Sequence, residues 1–163
     1  MKQLLIIRHA KSSWDAGILN DFDRPLNDRG LKDAPIMAKR LLDKNIEIDA
    51  FISSTANRAF TTASYFAAAY NKLENKIIKI AELYHPMPTI FLNVINQIDD
   101  TINCAAIFSH NPGITTFINQ LTKTSIDDMP TCGIFAIKIN TTSWKKFNSS
   151  KKECWFFDYP KNL

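Results

Sequence analysis

Histidine and arginine side chains set at the ends of apolar runs mark where this chain could do chemistry. Arg8 and His9 directly follow Leu4-Leu5-Ile6-Ile7, and His110 follows Ala105-Ala106-Ile107-Phe108-Ser109. Both runs read as buried strands, and in an open parallel sheet ligands bind in the crevice beyond the carboxyl ends of the strands. A third strand end points the same way: Asp49 to Thr55 reads as strand and then helix cap, with Thr55 as the cap, placing Arg58 in the first turn of the next helix. Two histidines and two arginines in one crevice imply an anionic ligand. A neutral imidazole nitrogen can attack phosphorus and split a difficult transfer to water into two easier displacements. Neighbouring guanidinium groups favour the neutral ring by charge repulsion, and a hydrogen bond from the other ring N–H to a backbone carbonyl would fix the tautomer. Arg8 and Arg58 would offer planar forks to phosphoryl oxygens. His110 precedes Asn111-Pro112-Gly113 and a helix start, where free backbone N–H groups also favour an anion. On spacing alone, a phosphate site and a generic anion pocket both remain open.

Other chemistries find less support. A metal site from His9, His85 and His110 would need spacings such as H-x-H or H-E-x-x-H, which are missing, and the arginines would repel a cation. The chain has four glycines and neither G-x-x-x-x-G-K-[ST] nor G-x-G-x-x-G, and no G-x-S-x-G elbow.

The motifs together resemble a known family. Ile6-Ile7-Arg8-His9-Ala10 resembles the R-H-G signature of the histidine phosphatase superfamily, also called phosphoglycerate-mutase-like. Pro25-Leu26-Asn27-Asp28-Arg29-Gly30 is similar to its L-[TN]-x-x-G helix start, Ser53 to Ala63 to its S-S-P-x-x-R-[AC]-x-x-T-A block, and Ser109 to Gly113 to its second-histidine block. Ala10 stands for the usual glycine and Thr55 for the usual proline. Within the superfamily, Arg8-His9-Ala10-Lys11-Ser12-Ser13-Trp14 with Asp23-Arg24-Pro25-Leu26 resembles the SixA-type phosphohistidine phosphatases. The resemblance implies that His9 is the nucleophile, that Arg8 and Arg58 hold the phosphoryl group, and that His110 completes the pocket as a hydrogen-bond donor. Many relatives place a glutamate between the second arginine and the second histidine. Glu82 is then the candidate proton donor, with a capping or pocket-lining role as its alternative. Ser13 could donate to the phosphate and Arg24 could meet an acidic substrate surface, against the alternative that both lie in a solvated loop. Substrates implied are a phosphohistidine-bearing protein or a small phosphate ester. About seven loop residues, 81–87, are too few for the cap insertion that encloses small substrates in larger relatives, and imidazole leaves far more readily than an alkoxide. Both points favour phosphohistidine. No metal or organic cofactor is required.

The elements that must position these groups alternate strand and helix. Strands are expected at residues 3–7, 49–53, 76–80 and 103–109, and helices at 30–44 capped by Asn27 or Asp28, at 56–70, from Met87-Pro88, and at 112–121. Residues 134–139 and 154–159 read as a closing strand pair around a short helix near 144–147. The expected fold is an α/β three-layer αβα sandwich, phosphoglycerate-mutase-like, whose mainly parallel central sheet has an antiparallel edge. The 163 residues suit one domain, 1–163, with 45% hydrophobic and 22% charged residues. Lys+Arg exceed Asp+Glu by only 20 to 16, and Lys145, Lys146, Lys151 and Lys152 read as a blunted hairpin edge, so nucleic acid is not an expected partner. Three cysteines without short pairwise spacing suit a reducing compartment. With no signal-peptide core or spanning segment, the expectation is a cytoplasmic monomer without a membrane partner.

Overall fold

The computed structural model describes every residue except Ala16, Ile18 and Leu19, so the expected loop at those three lies outside the described residues. The strands are β1 (Lys2–Arg8), β2 (Ala50–Ser53), β3 (Ile78–Lys79), β4 (Cys104–Ser109), β5 (Ile134–Ile139) and β6 (Lys152–Asp158). The helices are α1 (Asp28–Asp43), α2 (Asn57–Ala69), α3 (Pro88–Asn96) and α4 (Gly113–Ile118). One mixed sheet results, in the order β3-β2-β4-β1-β5-β6. β1, β2, β3 and β4 run parallel, and β5 and β6 add an antiparallel edge beside β1.

Alternating side chains on β1 send Leu5 and Ile7 to one face and Leu4 and Ile6 to the other. The first pair packs into a core with Met37 and Leu41 of α1, Phe66 of α2 and Phe108. The second packs with Phe91 of α3, Phe117 of α4, Phe135 and Trp144. All four β1 side chains are fully buried, each contributing about 1.5–3 kcal/mol from burial. Because apolar residues occupy both faces of β1 and β4, the sheet must be covered twice, which gives the three layers. Among the described residues no helix is long and apolar enough to cross a membrane.

Local chemistry sets the helix starts. The Asn27 side chain accepts from Gly30 N at 3.0 Å and caps α1. At α2 the expected Thr55 cap is not formed: the helix begins at Asn57 after Ala56, and Ser54 Oγ instead accepts from Ala56 N at 3.2 Å. The strand expected at residues 76–80 shortens to Ile78–Lys79, since Glu74–Lys76 form a 310 turn. α4 spans only Gly113–Ile118, and the Ile114 N–H donates to His110 O at 3.1 Å. The free helix-end donors expected beside His110 are therefore partly consumed by His110's own carbonyl.

Candidate active site

Register brings the candidates together. Arg8 lies opposite Ser109, and Ser53 opposite Phe108, so β2, β4 and β1 end side by side. The next residues, Ser54, His110 and His9, leave the sheet at one crevice. The His9 backbone is fixed on both sides, with its N–H donating to Ser109 O at 3.1 Å and its carbonyl accepting from Cys132 N at 3.0 Å. Ala10 N donates to Thr62 Oγ1 at 2.9 Å, and that hydroxyl donates to Arg58 O at 2.7 Å. Thr62 thus ties the nucleophile candidate to the helix that carries Arg58.

The His9 ring is held at both nitrogens. Nδ1 lies 2.7 Å from Ala10 O, which can only accept, so Nδ1 carries the proton. Nε2 lies 3.2 Å from Arg58 Nε, which can only donate, so Nε2 presents its lone pair. Burial, followed by the charges of Arg58, Arg8 and Arg24, lowers the His9 pKa from 6.5 to about 3, although the Ala10 carbonyl opposes the shift. His110 packs against this ring, with centroids 5.0 Å apart. Burial first, then His9, Arg58 and His85, lowers its pKa to about 2. Its Nε2 is 2.8 Å from Ser54 Oγ. The Ser54 hydroxyl proton meets no other acceptor among the described residues, so donating it to Nε2 satisfies both groups and puts the His110 proton on Nδ1. That Nδ1 is buried without a partner among the described residues, as is Arg8 Nε. Arg8 Nη1 donates to Met129 O at 2.7 Å and lies 3.6 Å from the Asp128 carboxylate. Two unsatisfied buried donors beside a neutral nucleophilic nitrogen form a ready seat for an anion.

The carboxylate in this crevice is Asp21, a residue without any pattern in the sequence to single it out. Its Oδ2 accepts from Arg58 Nη2 at 2.9 Å and Tyr84 Oη at 2.6 Å, and lies 3.3 Å from His85 Nε2. Its Oδ1 accepts from Arg24 Nη1 at 3.0 Å, and its backbone carbonyl from Arg58 Nη1 at 2.6 Å. Burial would raise this carboxyl, but hydrogen bonds from Tyr84, Arg24 and Arg58 outweigh it and hold the pKa well below the usual carboxylate range. His85 reaches the cluster with φ of 49°, a left-handed backbone unusual for a non-glycine residue.

Glu82 makes no hydrogen bond or ion pair with the crevice groups among the described residues. It sits on the 310 turn Ala81–Leu83 and its side chain is exposed, because Leu83, one position on, takes the buried direction of that turn. Arg24 is also displaced from its expected role. Only 6% exposed, it donates from Nε to Ser13 O at 2.8 Å and from Nη2 to Ser12 Oγ at 2.6 Å, under the Trp14 ring. A guanidinium so occupied orients Asp21 and the loop and does not face a substrate surface. The neighbouring Asp23 is exposed and bonds Asn20. Ser13 is buried under Arg24, its hydroxyl oxygen accepting from Asp15 N at 3.1 Å.

Comparisons with known proteins bear on the fold and the family. An uncharacterized protein of Mycobacterium tuberculosis is 28% identical over 143 residues, covering 82% of this chain and 87% of its own length. The solved structure of the protein histidine phosphatase SixA complexed with tungstate superposes with a TM-score of 0.83 at 20% identity, over 99% of both chains. An Entamoeba histolytica phosphoserine phosphatase in complex with 3-phosphoglyceric acid superposes at 0.69 with 16% identity, over 99% of this chain and 98% of its own. Residues 4–83 match the family model of the histidine phosphatase superfamily (branch 1), a span that holds Arg8, His9 and Arg58. Over this span, about half of its length, the chain matches the histidine phosphatase superfamily.

Proposed function

We propose that this histidine-dependent phosphatase removes the phosphoryl group from phosphohistidine on a protein, passing through a phosphoenzyme at His9. The observation that carries the reading is the His9 ring itself, with Nδ1 pinned to Ala10 O and the Nε2 lone pair capped by Arg58 Nε. As a phosphoryl group arrives, the Arg58 N–H passes from Nε2 to a phosphoryl oxygen, and Nε2 attacks phosphorus. The new N–P bond forms as the bond from phosphorus to the substrate imidazole breaks, and that ring, already protonated on its other nitrogen, takes the electron pair and leaves as neutral imidazole. Water then attacks the phosphoenzyme, releasing inorganic phosphate and returning the lone pair to His9, with a proton passing to bulk solvent. Arg8, Arg58 and His110 Nδ1–H stabilise charge on the equatorial oxygens.

The acid–base inventory supports the choice of leaving group. Asp21 is held ionised, and Glu82 is exposed with no hydrogen bond to a crevice group among the described residues, so neither is poised to protonate an alkoxide. An imidazole, with a reference pKa of about 6.5, needs far less help than an oxygen whose parent acid is nearer 15.7.

The test compares turnover of a histidine-phosphorylated protein with that of an aryl phosphate and sugar phosphates, and looks for acid-labile label on the enzyme. Expected are preference for phosphohistidine, label on wild type, and loss of both activity and label in His9→Ala. Wild-type rates from His9→Ala would overturn the nucleophile. Turnover of sugar phosphates alone would replace the substrate by a small ester, and phosphate binding without turnover would make the protein a binding module.

A further inference from the structure

A second concavity of about 440 Å³ adjoins the crevice and shares Arg8 with it. Its walls come from the loop after β1, the start of α1 and the segment after β6, and they carry Arg8, Lys11, Arg29 and Lys161 against one carboxylate, Asp33. That carboxylate is already 3.7 Å from Arg29 Nε. The cations stand on fixed backbone. Asn27 N donates to Lys11 O at 3.0 Å, and Gly30 packs so closely on this carbonyl that a Cβ there would meet it. Arg29 Nη2 bridges to Thr131 Oγ1 at 3.0 Å across the groove. Arg40 gathers the Asp158 carboxylate and the Tyr159 carbonyl, both at 3.1 Å, with Pro160 O at 3.0 Å and Asn162 O at 3.1 Å. This clamp fixes the segment that presents Lys161, which projects into solvent.

Resting on the phosphohistidine reading, we propose that this groove docks an acidic segment flanking the phosphohistidine of the substrate protein. Charge complementarity selects the occupant: cations outnumber carboxylates along the groove, and each added carboxylate on the substrate meets a fixed partner. Continuity selects the position, because Arg8 belongs to both concavities, so a chain whose phosphoryl group lies at His9 runs directly into the basic walls. Such rim pairs act mainly on encounter and on KM, and they weaken as salt rises. Arg24, the residue the sequence marks for an acidic surface, is buried, and Lys161 and Arg29 take that part.

The experiment uses two phosphohistidine peptides, one flanked by glutamates and one by glutamines, with an aryl phosphate as control, on wild type and on Lys161→Glu and Arg29→Gln. Wild type is expected to show a KM about tenfold lower for the glutamate peptide, the combined effect of two exposed ion pairs, shrinking at high salt. Both variants should lose most of that preference while kcat and aryl phosphate turnover stay unchanged. Equal KM for the two peptides, or a preference that survives both substitutions, overturns the docking groove and leaves the phosphohistidine reading standing. Turnover of the aryl phosphate with neither peptide cleaved overturns both. If a small bisphosphate ester loses its advantage in the variants while the peptides remain equal, the groove serves a second phosphate and the acidic segment is ruled out.

Discussion

Keeping two histidines uncharged in the crevice must cost the fold stability in mild acid, and the cost can be worked out. His9 has a folded pKa of about 3 and His110 of about 2, against about 6.5 in the unfolded chain. The unfolded state therefore binds more protons than the folded one between these values, and stability rises with pH through that window. At pH 5.5 each group gives the unfolded chain an advantage of about 1.4 kcal/mol, and almost none at pH 7.5, so the pair removes about 3 kcal/mol. With a urea slope of about 2 kcal/mol/M, the midpoint should fall by about 1.5 M from pH 7.5 to 5.5. Asp21 acts in the same direction in a lower window, its depressed pKa adding stability that is lost as pH falls below the ordinary carboxylate value near 3.8, outside this interval. The chain has three histidines, so the assignment can be checked by substitution: urea unfolding of His9→Asn should show about half the wild-type pH dependence. A midpoint that moves by less than about 0.5 M in wild type, or a dependence unchanged in His9→Asn, would refute the claim that the crevice enforces neutrality.

The same contacts yield three further expectations. Arg58→Ala removes the Nε donor to His9 and both contacts to Asp21, and should lower kcat by about 10² or more, measured on phosphohistidine peptide and aryl phosphate alike. Asp21→Asn should lower kcat/KM about tenfold through loosened Arg58, the scale of one charged hydrogen bond, whereas Glu82→Gln should stay within about twofold; steady-state kinetics distinguish the two. Gly30→Ala would drive a Cβ to 2.1 Å from Lys11 O, and thermal unfolding should register a loss of about 1–3 kcal/mol.

Arg8, His9, Arg58 and His110 were legible because each follows an apolar run, and β2, β4 and β1 are parallel neighbours with matched ends. The layer order was legible for the same reason, since strands apolar on both faces require helices on both sides. Gly30 was visible as a motif glycine, and the structure supplies its cause in the close approach of Lys11 O. What stayed hidden lies in the loop between β1 and α1. Hydrophobic periodicity is silent there, so nothing distinguished Asp21, which enters the crevice, from Asp23, which is exposed. At Glu82 the strand end at residue 80 could not fix a direction, because the 310 turn that follows buries Leu83 and leaves Glu82 exposed.

Asp21 also bears on whether the crevice is blocked or ready. Its carboxylate and carbonyl occupy Nη2 and Nη1 of Arg58, the group proposed to grip phosphate. A guanidinium has five N–H donors, and three are engaged: one to His9, one to Asp21 O and one to Asp21 Oδ2. Two remain for phosphoryl oxygens without disturbing Asp21, and the Nε donor becomes a third once Nε2 turns to phosphorus. Asp21 is then an orienting group whose negative charge balances part of Arg58. The net charge facing the ligand stays positive because Arg8 adds its charge at His9, with buried Arg24 behind Asp21 contributing to the field. An ionised carboxylate so near a phosphoryl dianion raises the cost of binding, and that cost falls on substrate and transition state alike. It is offset where negative charge is spread over oxygens aligned with the oriented fork, which is a condition on the transition state more than on the ground state. On this account the acid in the crevice trades affinity for alignment, and Asp21→Asn should lower kcat more than it changes KM.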